Sequence, residues 1–387
     1  MLGVPVKARV RRKTAHCTHI NRLTMLASRT LRITLLNVYC RHFSVDRCPP
    51  ILPPSRPAGS VGSPRRRYTA LTTSSDGADV SELDDEFFGI YSVILPPEPF
   101  VFGVSHIAQR TVPPHVPRPP YVTPSSRPHG RGATSTSSDG RIQLGSSGER
   151  RLRSAARLAR NVLEYAGTLV KVGSTTDALD AAIHEYIVAH SAYPSPLGYS
   201  GFPKACCTSV NNIIAHGIPD DRSLEDGDIV NIDITVYLDG YHGDTSRTFL
   251  VGNVDEAGKE LVATTSEALD AGIAVCEPGQ PFKSIGRAIH DLADRRGYSV
   301  SSQFTGHGIG EMFHRSPWIL HHRNEEPGTM MPGHCFTIEP CLIQGSNPRG
   351  WIFPDGWTAS TENCARGAQK EHMILITEDG AEVITRD

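Results

Sequence analysis

No stretch of this 387-residue chain runs through about 18 apolar residues without a break. With a mean hydropathy of −0.26, that excludes a helical membrane span. The nine cysteines are an odd number, and no two stand in CxxC spacing. This argues against a disulfide framework and a structural zinc module, and it fits a reducing compartment. Acid is scarce at one end. Residues 1–75 carry fourteen of the 39 Lys/Arg but a single acid, Asp46. The remainder therefore sets 25 bases against 40 acids, a poor balance for gripping a phosphate backbone. No internal repeat recurs at a period of about 20–50 residues. What is present is 39% hydrophobic content in a length between one and three average domains, enough for a sizeable core.

Residues 1–45 hold nine Lys/Arg and no acid, with hydroxyl residues scattered among Leu, Ile and Val. That is the composition of a mitochondrial transit peptide. A secretory signal needs a continuous apolar core, and none is present. Arg41-His42-Phe43-Ser44 resembles a matrix-peptidase site cut after Phe43. A plastid address shares this composition, and a basic nucleic-acid-binding arm would need more stacking aromatics than occur here. From Cys48 to about Gly140 the chain is rich in Pro, Ser, Gly and Arg, so residues 46–141 read as an extended, partly disordered linker. The island DDEFFGIYSVILPPEPF, residues 84–100, is the exception and reads as a strand or a docking segment.

Regular structure is expected from Glu149 onward. Leu152, Ala155, Ala156, Ala159, Val162, Leu163 and Ala166 fall on one helical face. Gly173-Ser174 should stop that helix, with Thr175 or Thr176 capping the next, DALDAAIHEYIVAH. Helices are also expected over 257–275 and 282–297, among strands that close the chain. The pattern implies an α+β domain over residues 142–387.

The segment DIVNIDITVYLDGYHGDTSRTFLV is the most informative. Ile232, Ile234, Val236 and Leu238 alternate with Asn231, Asp233, Thr235 and Tyr237, as in a half-buried strand. Asp239-Gly240 is a two-residue hairpin turn. It sets Thr235 opposite Asp244 and puts Asp244 on the face of Asp233, as its diagonal neighbour. Two acids on one face repel unless something positive lies between them, and a pair of metal ions suits the gap. Solvated surface acids are the alternative for the hairpin alone. GHGIG sets His307 among glycines, where backbone can pass close to a ligand, but it lacks the Lys and Ser/Thr of a phosphate loop. Glu339 in CFTIEP and Glu371 in AQKEHMILIT sit on expected strands, adding two acids to the set.

NNIIAHGIPD, DGDIVNIDITVYLDGYHGDTSRTF, GHGIGEMFH, FTIEP and GAQKEH together resemble the successive signatures of type 1 methionine aminopeptidases. The resemblance runs from about residue 142 to Thr385 and is strongest to the mitochondrial branch, through YPSPLGYSGFPK, CTSVNN and GNVDEAGKELV. SVILPP and HVPRPPYV resemble the extension of that branch. The N-terminal Cys/His zinc region of cytosolic relatives has no counterpart here. The 32-residue step from Glu339 to Glu371 has no room for the type 2 insertion.

The resemblance implies the pita-bread fold, with two pseudo-symmetric halves of helices and antiparallel strands around a dinuclear metal site. It makes Asp233 a ligand of one metal, gives His307 and Glu339 to the other, and lets Asp244 and Glu371 bridge them. Such an oxygen-rich set suits two divalent ions, Co, Mn, Fe or Zn, without choosing among them. The implied reaction removes the N-terminal methionine of nascent polypeptides when the second residue is small. A metal-bridging hydroxide attacks the first peptide bond while Glu339 shuttles the proton. His216 and His314 are the implied catalytic and substrate contacts, and Tyr199, Phe202, Cys207, Phe313 and Trp357 the methionine pocket. Either histidine could instead be a core residue, and the pocket residues are in part ordinary core. The implied setting is a monomer in the mitochondrial matrix, with a plastid or the cytoplasm as alternatives. Transient ribosome contact is expected, and neither nucleic acid nor membrane.

Three departures stand out: Lys370 where the family has an aromatic, Met373 where it has Thr, and Gly367 where it has Ser. In a strand Lys370 points opposite to Glu371, hence away from the metals. Two other readings compete. One is a related peptidase cutting before Pro. The other is a pseudo-peptidase serving as a ribosome or RNA adaptor, which the complete ligand set disfavours.

Overall fold

The computed structural model describes residues 88–104, 106–122 and 140–386. The expected transit peptide and its cleavage site lie outside the described residues, as do 46–87 and 123–139 of the expected extension. Residues from Phe88 onward form one compact unit.

Helix α1, Ser147–Leu169, buries the whole apolar stripe read from the sequence. Its N-terminus is closed by the Ser146 side chain, which accepts from the Glu149 amide at 3.1 Å. Helix α2, Thr176–Ala189, is capped by Thr175 in the same way. The first strands follow: β1 (Tyr193–Pro194), β2 (Cys207–Val210), β3 (Ile213–Ala215), β4 (Ile229–Leu238) and β5 (Tyr241–Leu250). Strands β4 and β5 form the expected hairpin, with Thr235 opposite Asp244 and Asp233 opposite Ser246. Asp239 and Gly240 both take positive φ, 51° and 87°, as the tight turn requires. The other edge of β4 carries β2 and then β1.

The expectation of a half-buried β4 needs correction. Its apolar residues pack on α1 and α2, but Asn231 and Thr235 on the opposite face are buried too. The second half of the molecule covers that face.

The second half repeats the plan of two helices followed by antiparallel strands. Helix α3 spans Glu256–Ile273 and α4 spans Lys283–Arg295, within about two residues of the expected limits. Then come β6 (Tyr298–Val300), β7 (Gly306–Gly308), β8 (Arg315–Ile319), β9 (Cys335–Ile338), β10 (Cys341–Gln344), β11 (Gly350–Ile352), β12 (Ala359–Thr361), β13 (Gly367–Gln369), β14 (His372–Ile376) and β15 (Ala381–Val383). Five of them form a sheet in the order β15-β14-β9-β7-β8. Leu261, Leu269, Ile285 and Ile289 of the helices pack on Phe336, Ile338, Ile374 and Ile376 of that sheet. The two-half plan is the pita-bread architecture.

The glycines flanking His307 meet a packing demand. A Cβ on Gly306 would strike the Thr337 carbonyl and one on Gly308 the Ser316 carbonyl. They let β7 lie close to its neighbours and leave the approach to His307 to the side chains.

Residues 88–122 form neither helix nor strand, yet they are docked. The Ile94 amide donates to Asn212 Oδ1 at 2.7 Å, and Asn212 Nδ2 donates to the Ile94 carbonyl at 2.9 Å. One side-chain amide thus replaces a strand partner. The fully buried Arg366 donates to the Phe88 carbonyl and pairs with Asp255 at 2.6 Å. Of the two readings offered for this island, docking segment is the one observed. Val112 and Val116, in the proline-rich stretch expected to be linker, are buried against Tyr193 and Leu197. An extended chain can bury alternate side chains without a ladder of its own.

Gly243 lies where β5 passes under α1, and any Cβ there would collide with the Ala155 carbonyl. Gly243→Ala should therefore push the hairpin off α1 and lower stability in urea by about 1–3 kcal/mol or more. Pairing it with Ala155→Gly should restore nothing, because the obstacle is backbone.

Candidate active site

The hairpin meets residues 369–371, where the chain passes from β13 into β14, along a seam of side-chain to backbone bonds. Thr245 Oγ1 donates to the Glu371 carbonyl and the Glu371 amide to the Ser246 carbonyl, at 2.8 and 3.0 Å. Asn231 Nδ2 and Thr248 Oγ1 both donate to the Gln369 carbonyl at 2.8 Å. This seam carries Asp244 from one half and Glu371 from the other into contact with His307 on β7. Ligand atoms of these three buried residues lie within 4.8 Å of one another. Glu339, one residue past β9, joins them, with its Oε1 3.7 Å from His307 Nε2. His307 Nε2 is also 3.7 Å from Asp244 Oδ2. Asp233 on β4 completes the group, near enough that its charge raises Asp244, Glu339 and Glu371. The five residues named from the sequence thus converge.

Electrostatically the group is incomplete. Burial pushes Asp233 up to about 7 and Glu339 up to about 8. Burial, aided by the neighbouring acids, holds Asp244 and Glu371 well above the carboxylate range. Burial drops His307 to about 4, so its ring is neutral. Its Nδ1 sits 3.3 Å from the Gly308 carbonyl, so with the proton there the Nε2 lone pair faces two carboxyls. Four acids, two buried and two partly buried, facing an acceptor nitrogen have no positive partner among themselves. Divalent cations supply what is missing, and the hard oxygen-rich donor set fits them.

Several supporting residues escaped the sequence reading. Thr337 donates to Glu339 Oε1 at 2.8 Å and accepts from the His307 amide at 3.0 Å. Gln369 Nε2 donates to Glu339 Oε2 at 3.3 Å. Thr235 donates to Asp244 Oδ1 at 2.8 Å. Each sits two residues from a metal-facing acid, Thr337 before Glu339, Gln369 before Glu371 and Thr235 after Asp233, so strand parity could have found them. His321, whose Nε2 accepts the Glu339 amide at 3.0 Å, left no such signal.

Beside the acids lies an aromatic pocket. The short turn Tyr199–Gly201 carries Tyr199 at one end, and Phe202 follows it. Tyr199 packs on Phe313 at 4.9 Å between centroids, and its hydroxyl meets His314 Nδ1 at 2.9 Å. Phe202 meets Trp357 edge-on at 5.2 Å, and His216 meets Trp357 at 6.1 Å and Phe304 at 5.1 Å. Cys207 stands opposite Asp233 across the sheet, its thiol kept neutral by burial. His216 takes an uncommon positive φ of 55°. Burial lowers it to about 4 and His314 well below its ordinary value, so both rings are neutral. All twelve site residues named from the sequence are thus in or beside one site.

The departures also find places. Lys370 points away from the acids and donates to Ser266 on α3 at 2.6 Å. Met373 Sδ accepts the Asp244 amide at 3.2 Å. Gly367 lies against Ile214, where a Cβ would crowd that side chain.

Comparison with known proteins agrees with this geometry. Residues 150–378, which include all five acid and histidine donors, match metallopeptidase family M24. The chain is 53% identical over 279 residues to methionine aminopeptidase 1D, chloroplastic/mitochondrial, of Arabidopsis thaliana, covering 72% of this chain and 77% of that one. It is 48% identical over 275 residues to the human mitochondrial methionine aminopeptidase 1D, covering 71% and 80%. The crystal structure of methionine aminopeptidase from Rickettsia prowazekii superposes with a TM-score of 0.60 at 44% identity, over 61% of this chain and 95% of that one. A prolidase from Pyrococcus furiosus, 21% identical with a TM-score of 0.51, shares the fold over 64% of this chain and 66% of its own. The chain belongs to metallopeptidase family M24, in its methionine aminopeptidase group.

Proposed function

We propose that this enzyme removes the N-terminal methionine from nascent polypeptides at the site built by Asp233, Asp244, His307, Glu339 and Glu371. The observation that carries the reading is the set of four carboxyls, Asp244 and Glu371 buried and Asp233 and Glu339 nearly so, around a neutral imidazole beside a pocket walled by aromatic rings. Those five residues would hold two divalent ions, with Asp244 and Glu371 shared between them. Bound there, such ions polarise a carbonyl and acidify water at neutral pH. The protein does the rest. Tyr199, Phe202, Cys207, Phe313 and Trp357 take up the methionine side chain and exclude water. Glu339, gripped through both oxygens by Thr337 and Gln369, carries the proton from the attacking water to the leaving amine. His216 and His314, both neutral, donate hydrogen bonds to the substrate carbonyl as it gains negative charge. With the Tyr199 hydroxyl donating to His314 Nδ1, the proton of His314 would sit on Nε2, where the reaction needs a donor.

Cleavage before a small second residue, a catalytic domain over 142–387 and delivery to mitochondria by residues 1–45 belong to the same proposal. So do a monomeric state and transient ribosome contact. Among the described residues no helix is long and apolar enough to cross a membrane.

Three outcomes test it. Turnover of Met-Ala-Ser with added divalent metal should far exceed that of Met-Leu-Ser, and equal rates would refute the small second subsite. Asp244→Asn should leave a folded protein with less than about a tenth of the wild-type kcat, a loss above roughly 1.4 kcal/mol of barrier.

The third outcome follows from the raised acids. A carboxyl that stays protonated in the folded protein to about 7 or 8, but ionises near 4 when unfolded, favours folding only at low pH. The depressed histidines act oppositely, but only below about pH 6.5. In chelator, stability should therefore fall as pH rises from about 6.5 to 8, by roughly 1.4 kcal/mol per unit for each carboxyl still protonated. Saturating divalent metal should abolish that slope in urea titrations. A slope unaffected by metal would place the cation elsewhere.

A further inference from the structure

Tyr121 lies in the proline-rich stretch before the catalytic elements, against residues of the pocket. Its hydroxyl donates to the Ser195 carbonyl at 2.6 Å. Its ring meets Tyr199 edge-on at 5.0 Å and lies nearly parallel to His242 at 6.2 Å. Both contacts lead to His314. By one route, the Tyr199 hydroxyl meets His314 Nδ1 at 2.9 Å. By the other, His242 stacks on Phe313 at 5.2 Å, and Phe313 on His314 at 3.9 Å. Ser195 ties the two routes together, since its carbonyl takes the Tyr121 hydroxyl while its own hydroxyl meets His242 Nδ1 at 2.9 Å.

A brace must itself be held, and this one is. Arg110 pairs with Asp177 at 2.9 Å and with the buried Asp180 at 2.5 Å, pinning the start of the stretch to α2. Asp180 also accepts the Ala205 and Cys206 amides, which lead into Cys207 of the pocket. Val112 and Val116 are buried between these points, and Arg118 closes the loop by donating to the Val112 carbonyl at 2.6 Å.

We propose that Tyr121 is a positioning residue for the peptidase reaction: its ring fixes Tyr199 and the His242–Phe313 stack, and through them the imidazole of His314. The stretch Arg110–Tyr121 is then the back wall of the substrate pocket. This rests on the role given above to His314. Chain outside the catalytic elements therefore sets the rate, and a protein lacking it would keep every metal donor yet hold His314 loosely.

Tyr121 remains 37% exposed, so its truncation leaves no sealed cavity and the fold should survive. The test compares full-length wild type, Tyr121→Ala, Tyr121→Leu and Tyr121→Phe in two measurements. Steady-state turnover of Met-Ala-Ser should show kcat about tenfold lower in the Ala and Leu variants, since small misplacement of a catalytic contact costs up to about 10²-fold. KM should move less than kcat. Tyr121→Phe, which keeps the ring and drops only the bond to Ser195, should restore most of the rate. In the second measurement, the 15N resonances of the His314 imidazole, assigned with His314→Gln, should shift in the Ala and Leu variants of the metal-free protein and stay near wild type in the Phe variant.

A kcat unchanged in Tyr121→Ala, or in Tyr121→Leu if the Ala variant does not fold, overturns the proposal. Unperturbed His314 resonances do so as well. If the wild-type protein fails to turn over the peptide with any divalent metal, the peptidase reading fails. The resonances then still decide whether Tyr121 holds His314.

Discussion

Four carboxyls, two of them buried and two partly so, crowd around one neutral imidazole, and the rest of the molecule is arranged to hold them there. Acids in such surroundings resist ionising, and the group itself contains no cation to offset them. They stay together because each half of the fold pins its own. The hairpin fixes Asp233 and Asp244 by register, while β7 carries His307 and the ends of β9 and β14 present Glu339 and Glu371. The seam of Thr245, Thr248 and Asn231 against residues 369–371 then locks the halves in register. The cost of gathering the acids is what a bound divalent cation would offset, in keeping with a metallopeptidase family.

The seam also explains which residues can vary near the site. Lys370 alternates with Glu371 and faces α3, so a long cationic side chain is accommodated without entering the ligand set. Met373 touches the Asp244 backbone through sulfur, a soft contact that replaces a hydroxyl at little geometric cost. The glycines of β7 are constrained by neighbouring carbonyls. Substitution at these positions is thus governed by packing against backbone, one layer away from the chemistry.

Much of the core and the site was legible. The stripe of α1, the caps of α1's successor helix and the β4–β5 register all follow from local rules of periodicity and turn chemistry. Burial of the polar face of β4 was not legible, because alternation reports one buried face and is silent on a second layer packed over polar residues. Nor was the docking of residues 88–122. A proline-rich chain has no ladder or helical period to reveal it, and its partners, Asn212, Asp180 and Ser195, are 70 or more residues away.

From the amino-acid order alone came the candidate donors, the hairpin that brings Asp233 and Asp244 to one face, and the kinship of the motifs, because each motif is written within a few neighbouring residues. Tertiary structure alone decided how strongly those acids hold their protons, which threonine, glutamine and histidine side chains grip Glu339, and that Tyr121 backs the pocket. The physical reason is distance along the chain. Proton affinity and side-chain orientation depend on everything packed within a few ångströms, and in this fold those neighbours come from segments far apart in sequence.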